Sequence, residues 1–369
     1  MASIQKRGNT YQYTVSRLIN GKSKPIRKGG FRTKHEARVA ASEIEVQLSK
    51  GILPHLKPAP IDEYFEKWVK LYKSNLCGTT LKHYEYTLKA IKDYFGSKPL
   101  QEIKRHEYQL FLNKFGSNKS KETVEKLNTH IRACVKDAVE EQIIHHDFTR
   151  KAVLTWTTSG KKPSDKHLNF KESERLLNEI WDNLDKGLTY SLLLLGLTSG
   201  MRFAEMVGLT RKDFDFENNV ITINKTWGYM KRNPKGFGPT KNEQSNRTIK
   251  MDQLTMNHFK QMFKSTPTNL HQLVFYSPGS KYQVISNTVA NKLLRKLLND
   301  LEINPVTIHG LRHTHASVLL YKKVSIHYVS ERLGHSDIET TLKEYTHVIK
   351  ELREEDEMGT VNTFEKMIV

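Results

Sequence analysis

Four clusters in the second half of the chain carry side chains able to grip an anion or move a proton. In Thr198-Ser199-Gly200-Met201-Arg202-Phe203-Ala204-Glu205 a Ser-Gly pair breaks an apolar helix, so Arg202 opens the next one, at the end where anions are favoured. Taken alone, Arg202 is more simply a surface arginine paired with Glu205 at helical spacing. Thr240-Lys241-Asn242-Glu243 reads as a turn presenting Lys241, and alone it is only a charged turn. In Thr307-Ile308-His309-Gly310-Leu311-Arg312-His313, His309 and Arg312 share one helical face. His309 and His313 also have zinc-ligand spacing. The glutamate of the HExxH pattern is missing, however, and no third ligand is evident, so no metal is expected. In the fourth cluster Gly334 ends a helix, His335 follows, and Tyr345 falls on the stripe of Ile338 and Leu342. By itself that stripe makes Tyr345 a core tyrosine.

These clusters need a scaffold, and the remaining sequence supplies one. The chain has 369 residues, enough for two or three domains. Lys and Arg number 59 against 40 Asp and Glu, a net charge of +19, which points to a polyanionic partner. No apolar run approaches the ~20 residues that span a bilayer, and no signal peptide is visible, so a cytoplasmic location without a membrane partner is expected. Cys77 and Cys134 are too few and too far apart for a disulfide framework.

Residues 1–57 hold 12 Lys/Arg and 3 Asp/Glu, about half of the excess charge. Tyr11 to Val15 alternates like a strand, Asn20-Gly21 is a hairpin turn, and further strands are predicted near Ser3–Lys6 and up to Ile26. Thr33 and Glu36 form a capping box for a helix carrying Ala37, Ala41, Ile44 and Leu48. A basic three-stranded sheet of this kind can enter a DNA groove. Arg7, Tyr11, Tyr13, Arg17, Lys22, Lys24, Arg27 and Lys28 are its expected DNA contacts. A Pro-rich linker spans Pro54 to Pro60, and four helical patterns fill residues 61–146 with aromatics at core spacing. A polar break at Thr157–Ser164 then leads into an α-rich block with strands at Val220–Ile223 and Arg247–Ile249.

Taken together, the order Arg, Lys, His-x-x-Arg, His and Tyr across residues 202–345 resembles the tyrosine recombinase, or phage integrase, family. The whole layout is similar to that of arm-binding integrases of prophages and of integrative and conjugative elements from Gram-positive bacteria. The resemblance implies an α+β multidomain fold: an arm-type DNA-binding sheet at 1–57, a helical core-binding domain at 58–160, and a mainly α catalytic domain with a small sheet and a C-terminal tail at 161–369. It also implies that Arg202, Lys241, His309, Arg312 and His335 are catalytic, that Glu205 is accessory, and that Tyr345 is the nucleophile.

The chemistry suits those residue types. Two guanidiniums can fork onto a phosphodiester, and a histidine can bond the charge that grows in the transition state. A phenol with a pKa near 10 needs a base, here His309. Lys241 would protonate the leaving 5′-oxygen. A 3′-phosphotyrosyl bond conserves energy, so no cofactor, neither ATP nor metal, is expected. The family works as a homo-tetramer on double-stranded DNA, joining core and arm sites through a Holliday junction. An excisionase and a host DNA-bending protein are its usual accessory partners. The apolar face of Val361, Phe364 and Ile368 is expected to dock on a neighbouring subunit. Three alternatives stand beside this reading: a Xer-like cellular recombinase, which would lack the arm module; a type IB topoisomerase; and a non-catalytic DNA-binding regulator on the same fold.

Overall fold

The computed structural model describes residues 2–19, 22–49, 58–160, 166–229, 235–339, 341–342, 357 and 365. The chain divides into two compact units, Met1–Gly160 and Lys161–Val369. The Asn20-Gly21 turn, most of the Pro-rich linker, and Tyr345 with the apolar tail residues lie outside the described residues.

The first unit begins with strands β1 (Ser3–Arg7), β2 (Thr10–Val15), β3 (Leu18–Ile19), β4 (Lys22–Ser23) and β5 (Ile26–Phe31), followed by helix α1 (Lys34–Ser49). Strands β1, β2 and β5 form an antiparallel sheet with β2 central, while β3 and β4 pair as a short ribbon. Tyr13, Val15 and Ile26 bury against Ala41 of α1. Between Tyr11↔Phe31 and Tyr13↔Lys28 the register slips by one residue. Gly30, at φ +93°, supplies the backbone that this bulge needs. The Thr33 hydroxyl caps α1 by accepting from the Glu36 amide at 3.1 Å. The Glu36 carboxylate returns to the amide of Arg32, one residue earlier than a capping box requires.

Four helices complete this unit: α2 (Ile61–Tyr72), α3 (Gly78–Phe95), α4 (Arg105–Gly116) and α5 (Lys121–Glu140). Their aromatics are core, as the helical spacing predicts: Phe65, Trp68, Tyr108 and Phe111 are all buried. Several polar side chains are paired within the bundle. The Trp68 indole donates to Asp137 at 2.6 Å, and the Tyr64 and Tyr72 hydroxyls both donate to Glu141 at 3.0 Å.

The second unit contains α6 (Phe170–Trp181), α7 (Leu188–Ser199), α8 (Phe203–Gly208), β6 (Phe214–Asp215), β7 (Val220–Ile223), β8 (Thr226–Trp227), β9 (Phe237–Gly238), β10 (Arg247–Lys250), α9 (Gln253–Ser265), α10 (Asn287–Asp300), α11 (Ile308–Tyr321) and α12 (Ile326–Leu333). Sheet order is β10-β7-β6, all antiparallel, and β8 pairs with β9. Helix α7 is apolar on every side and buried from Ser191 to Leu197, which makes it the central post of this unit.

The post ends at Gly200, in the left-handed region at φ +68°. A Cβ there would lie 2.6 Å from His315 Cδ2 and 2.9 Å from Leu333 Cδ2. Gly200→Ala should therefore lower stability by about 2–4 kcal/mol, combining left-handed strain with overpacking. A shift of the urea midpoint at unchanged slope measures it, and an unshifted midpoint would mean that the turn relaxes freely.

Candidate active site

The left-handed turn at Gly200 drops the chain onto Arg202, the residue preceding α8. The buried Glu205 carboxylate clasps Arg202 twice: Oε2 accepts from its amide at 3.0 Å, and Oε1 accepts from Nη1 at 2.8 Å. Nη1 also donates to Ser245 Oγ at 3.1 Å. Burial pushes the Glu205 carboxyl up, but the guanidiniums of Arg247 and Arg202 outweigh this and hold it below the usual carboxylate range.

Arg312 arrives from a different direction, on the first turns of α11 behind the Thr307 cap. Its guanidinium is buried and donates to Gly200 O at 2.8 Å and Leu333 O at 2.7 Å. Arg202 Nη2 donates to the next carbonyl, Gly334 O, at 3.1 Å. The preceding carbonyl, Arg332 O, accepts from Arg247 Nε at 2.7 Å. Three successive carbonyls at the end of α12 thus each receive a different arginine, as the negative pole of a helix favours. Gly334, at φ +67°, turns the chain out of α12 and into His335.

His335 is half-buried, with Nδ1 2.7 Å from Thr341 Oγ1. Burial lowers its pKa to about 4, with Arg312 and Arg202 adding to the effect, so the ring is neutral at pH 7. The sequence-predicted Arg202, Glu205, Arg312 and His335 therefore meet around one helix end. Lys241 is exposed in the loop between β9 and β10, near Thr240 and Asn242, which anchor that loop. His309 is exposed on the first turn of α11, its ring 4.9 Å from that of His313. Tyr345 lies outside the described residues.

Sequence reasoning misses three members of the cluster. Arg247 bridges Glu205, Ser245 O and Arg332 O. Arg332 donates to His315 Nε2 at 3.0 Å, and His315 Nδ1 sits 2.9 Å from Leu197 O. Burial lowers the His315 pKa to about 3, so this ring is neutral, donating from Nδ1 and accepting at Nε2.

The basic sheet needs one correction. The Tyr13 ring is buried against α1, 5.6 Å from Phe31, so it is a core residue and not a DNA contact. Tyr11, in the same strand phase, is half-buried, as is Arg17. Arg7 and Arg27 are exposed and pair across β2 with Thr10 and Thr14, in the strand phase opposite to Tyr13. Lys24 and Lys28 are exposed, whereas the side chain of Lys22 lies outside the described residues.

Three family models match stretches of this chain. The phage integrase family model covers residues 166–351, the phage integrase N-terminal SAM-like domain covers 60–116, and an arm DNA-binding domain covers 3–48. An integrase of Staphylococcus phage L54a is 29% identical over 80% of this chain and 90% of its own. A XerC-like tyrosine recombinase of Caldanaerobacter subterraneus subsp. tengcongensis is 26% identical over 91% of each chain. The solved structure of the Tn1549 transposon integrase, in complex with a circular intermediate DNA, superposes with a TM-score of 0.66. It is 20% identical and covers 78% of this chain and 95% of that one. The fold is that of a tyrosine-type site-specific recombinase. The chain belongs to the phage integrase family, and the arm-domain match aligns it with integrases of mobile elements more than with simple Xer-type enzymes. Among the described residues no helix is long and apolar enough to cross a membrane.

Proposed function

We propose that the chain inserts and excises a mobile DNA element, using Tyr345 to cut and rejoin double-stranded DNA. The observation that carries this reading is the convergence of Arg202 and Arg312, from separate elements, on successive carbonyls beside a neutral histidine. Two fixed guanidiniums at one helix end can bracket the non-bridging oxygens of a phosphodiester with little reorganisation. If Thr341 donates its hydroxyl proton to His335 Nδ1, Nε2 keeps the ring's single proton and can bond the phosphate. The Tyr345 oxygen attacks phosphorus while His309 takes its proton. The P–O5′ bond breaks, Lys241 protonates the departing oxygen, and a 3′-phosphotyrosyl bond remains. The free 5′-hydroxyl of a partner strand then reverses these steps, and two such exchanges pass through a Holliday junction. The division of labour follows the sequence: residues 1–57 hold arm sites, 58–160 clamp the core site, and 161–369 perform the chemistry within a homo-tetramer. An excisionase and a host DNA-bending protein would set direction.

Deleting residues 1–57 tests the mobile-element reading. Arm-site binding and recombination between full attachment sites should vanish, while a nicked core-site substrate is still cut. Binding by the intact module should also weaken steeply with salt, because its contacts are to phosphates. Arm-site affinity that survives the deletion would remove the arm assignment and favour a cellular recombinase.

A further inference from the structure

Glu205 sits between two arginines, and only one of them is open to solvent. Its carboxylate is 1% exposed, the Arg202 side chain 21% and the Arg247 side chain 6%. Oε2 accepts from Arg247 Nη2 at 3.0 Å, while Oε1 holds Arg202. Arg247 reaches two further acceptors, Arg332 O at 2.7 Å and Ser245 O at 2.8 Å, so its fork is committed to protein on three sides. With 6% of its side chain exposed against 21% for Arg202, it is the less accessible of this pair to a phosphate. Its most direct link to Arg202 is the shared Glu205 carboxylate.

A buried carboxylate with a single cation forms a neutral pair, and that pair would draw Arg202 inward and cancel its field. A second cation on the other oxygen leaves one net positive charge on the trio and returns it to the arginine at the surface. We propose that Arg247 is a positioning residue for strand cleavage: by sharing the Glu205 carboxylate, it keeps Arg202 oriented and charged toward the scissile phosphate. This deepens the active-site reading and rests on Arg202 acting as a phosphate clamp.

The test is single-turnover cleavage of a nicked core-site substrate by the full-length protein. Arg247→Met should slow cleavage about 100-fold while DNA affinity changes less than about threefold, since the lost field acts mainly on transition-state charge. Adding Glu205→Gln to that variant should restore about tenfold, because no carboxylate then remains to cancel the Arg202 charge. A residue that only supports the fold predicts a double variant as slow as the single one, and that result would overturn the proposal. A substrate with a neutral methylphosphonate at the cleavage point should shrink the Arg247→Met deficit, as it should that of Arg202→Ala. An unchanged deficit would count against the proposal.

If circular dichroism shows Arg247→Met unfolded, Arg247→Lys replaces it. That variant keeps a cation beside Glu205 and should cleave within about tenfold of the parent, whereas a loss as deep as that of Arg202→Ala would overturn the proposal. The two readings fail separately. Parent-like cleavage by Arg202→Ala removes the clamp itself; a slow Arg202→Ala beside a folded, parent-like Arg247→Met removes only the role of Arg247.

Discussion

Tyr345→Phe should abolish covalent attachment to DNA at any protein concentration and leave DNA affinity nearly intact. The substitution deletes one oxygen and keeps the ring. Without the phenol no phosphotyrosyl bond can form, and neutralising the phosphate cannot compensate for a missing nucleophile. Affinity persists because phosphate contacts from Lys and Arg dominate it, and none is removed. Two other tyrosines in the catalytic block define the control. Tyr321 stacks on Phe170 with ring centroids 5.4 Å apart, and the Tyr328 hydroxyl lies 3.5 Å from Arg332 Nη1. Phe at either should leave the adduct unchanged. Peptide mapping of the trapped complex decides the matter: DNA on a peptide without Tyr345 refutes the assignment.

Arg312→Ala and Lys241→Ala should both slow cleavage by about 10²–10³-fold, yet respond differently to one atom of the substrate. Lys241 is assigned to protonate the leaving 5′-oxygen. A 5′-bridging sulfur departs without a proton, so Lys241→Ala should recover to within about tenfold of the parent on that substrate. Arg312 is assigned to stabilise charge on non-bridging oxygens, which sulfur at the bridge does not alter, so its variant should stay slow. Arg312→Ala also strips the donor from Gly200 O and Leu333 O, an added cost of about 1–3 kcal/mol for each buried carbonyl left unpaired. Its melting temperature should therefore fall, whereas that of Lys241→Ala should hold, because Lys241 is exposed. Equal rescue of both variants by sulfur would remove Lys241 as the acid.

Much of this site is legible in the order of amino acids alone, because chemistry restricts residue type and spacing. Arg202 after a Ser-Gly break, and His309 with Arg312 at helical spacing, are visible as local patterns. Arg247 leaves a fainter signal: it shares a strand phase with buried Ile249, an unusual place for a guanidinium. Arg332 and His315 leave none, since their partners include backbone carbonyls of Thr198, Lys250 and Leu197, to which composition is blind. Sequence pattern misplaces Tyr13 although Tyr11, Tyr13 and Val15 form the apolar phase of β2; aromatic residues on a basic strand suit either a groove or a core. The two-residue strands β6, β8 and β9 are too short for any periodicity to declare them.

The three arginines gathered at the end of α12 also constrain how this protein can diverge. Each carbonyl is matched to its own partner, and the helix between Ser325 and Gly334 sets the direction in which they point. One residue gained or lost within it would turn that end by about 100° and shift it about 1.5 Å, unseating all three contacts together. Substitutions along the outer face of α12 are tolerable one at a time, but a change in its length is not. Insertions that accumulate during descent should therefore collect in the loops on either side of this helix and spare the helix itself.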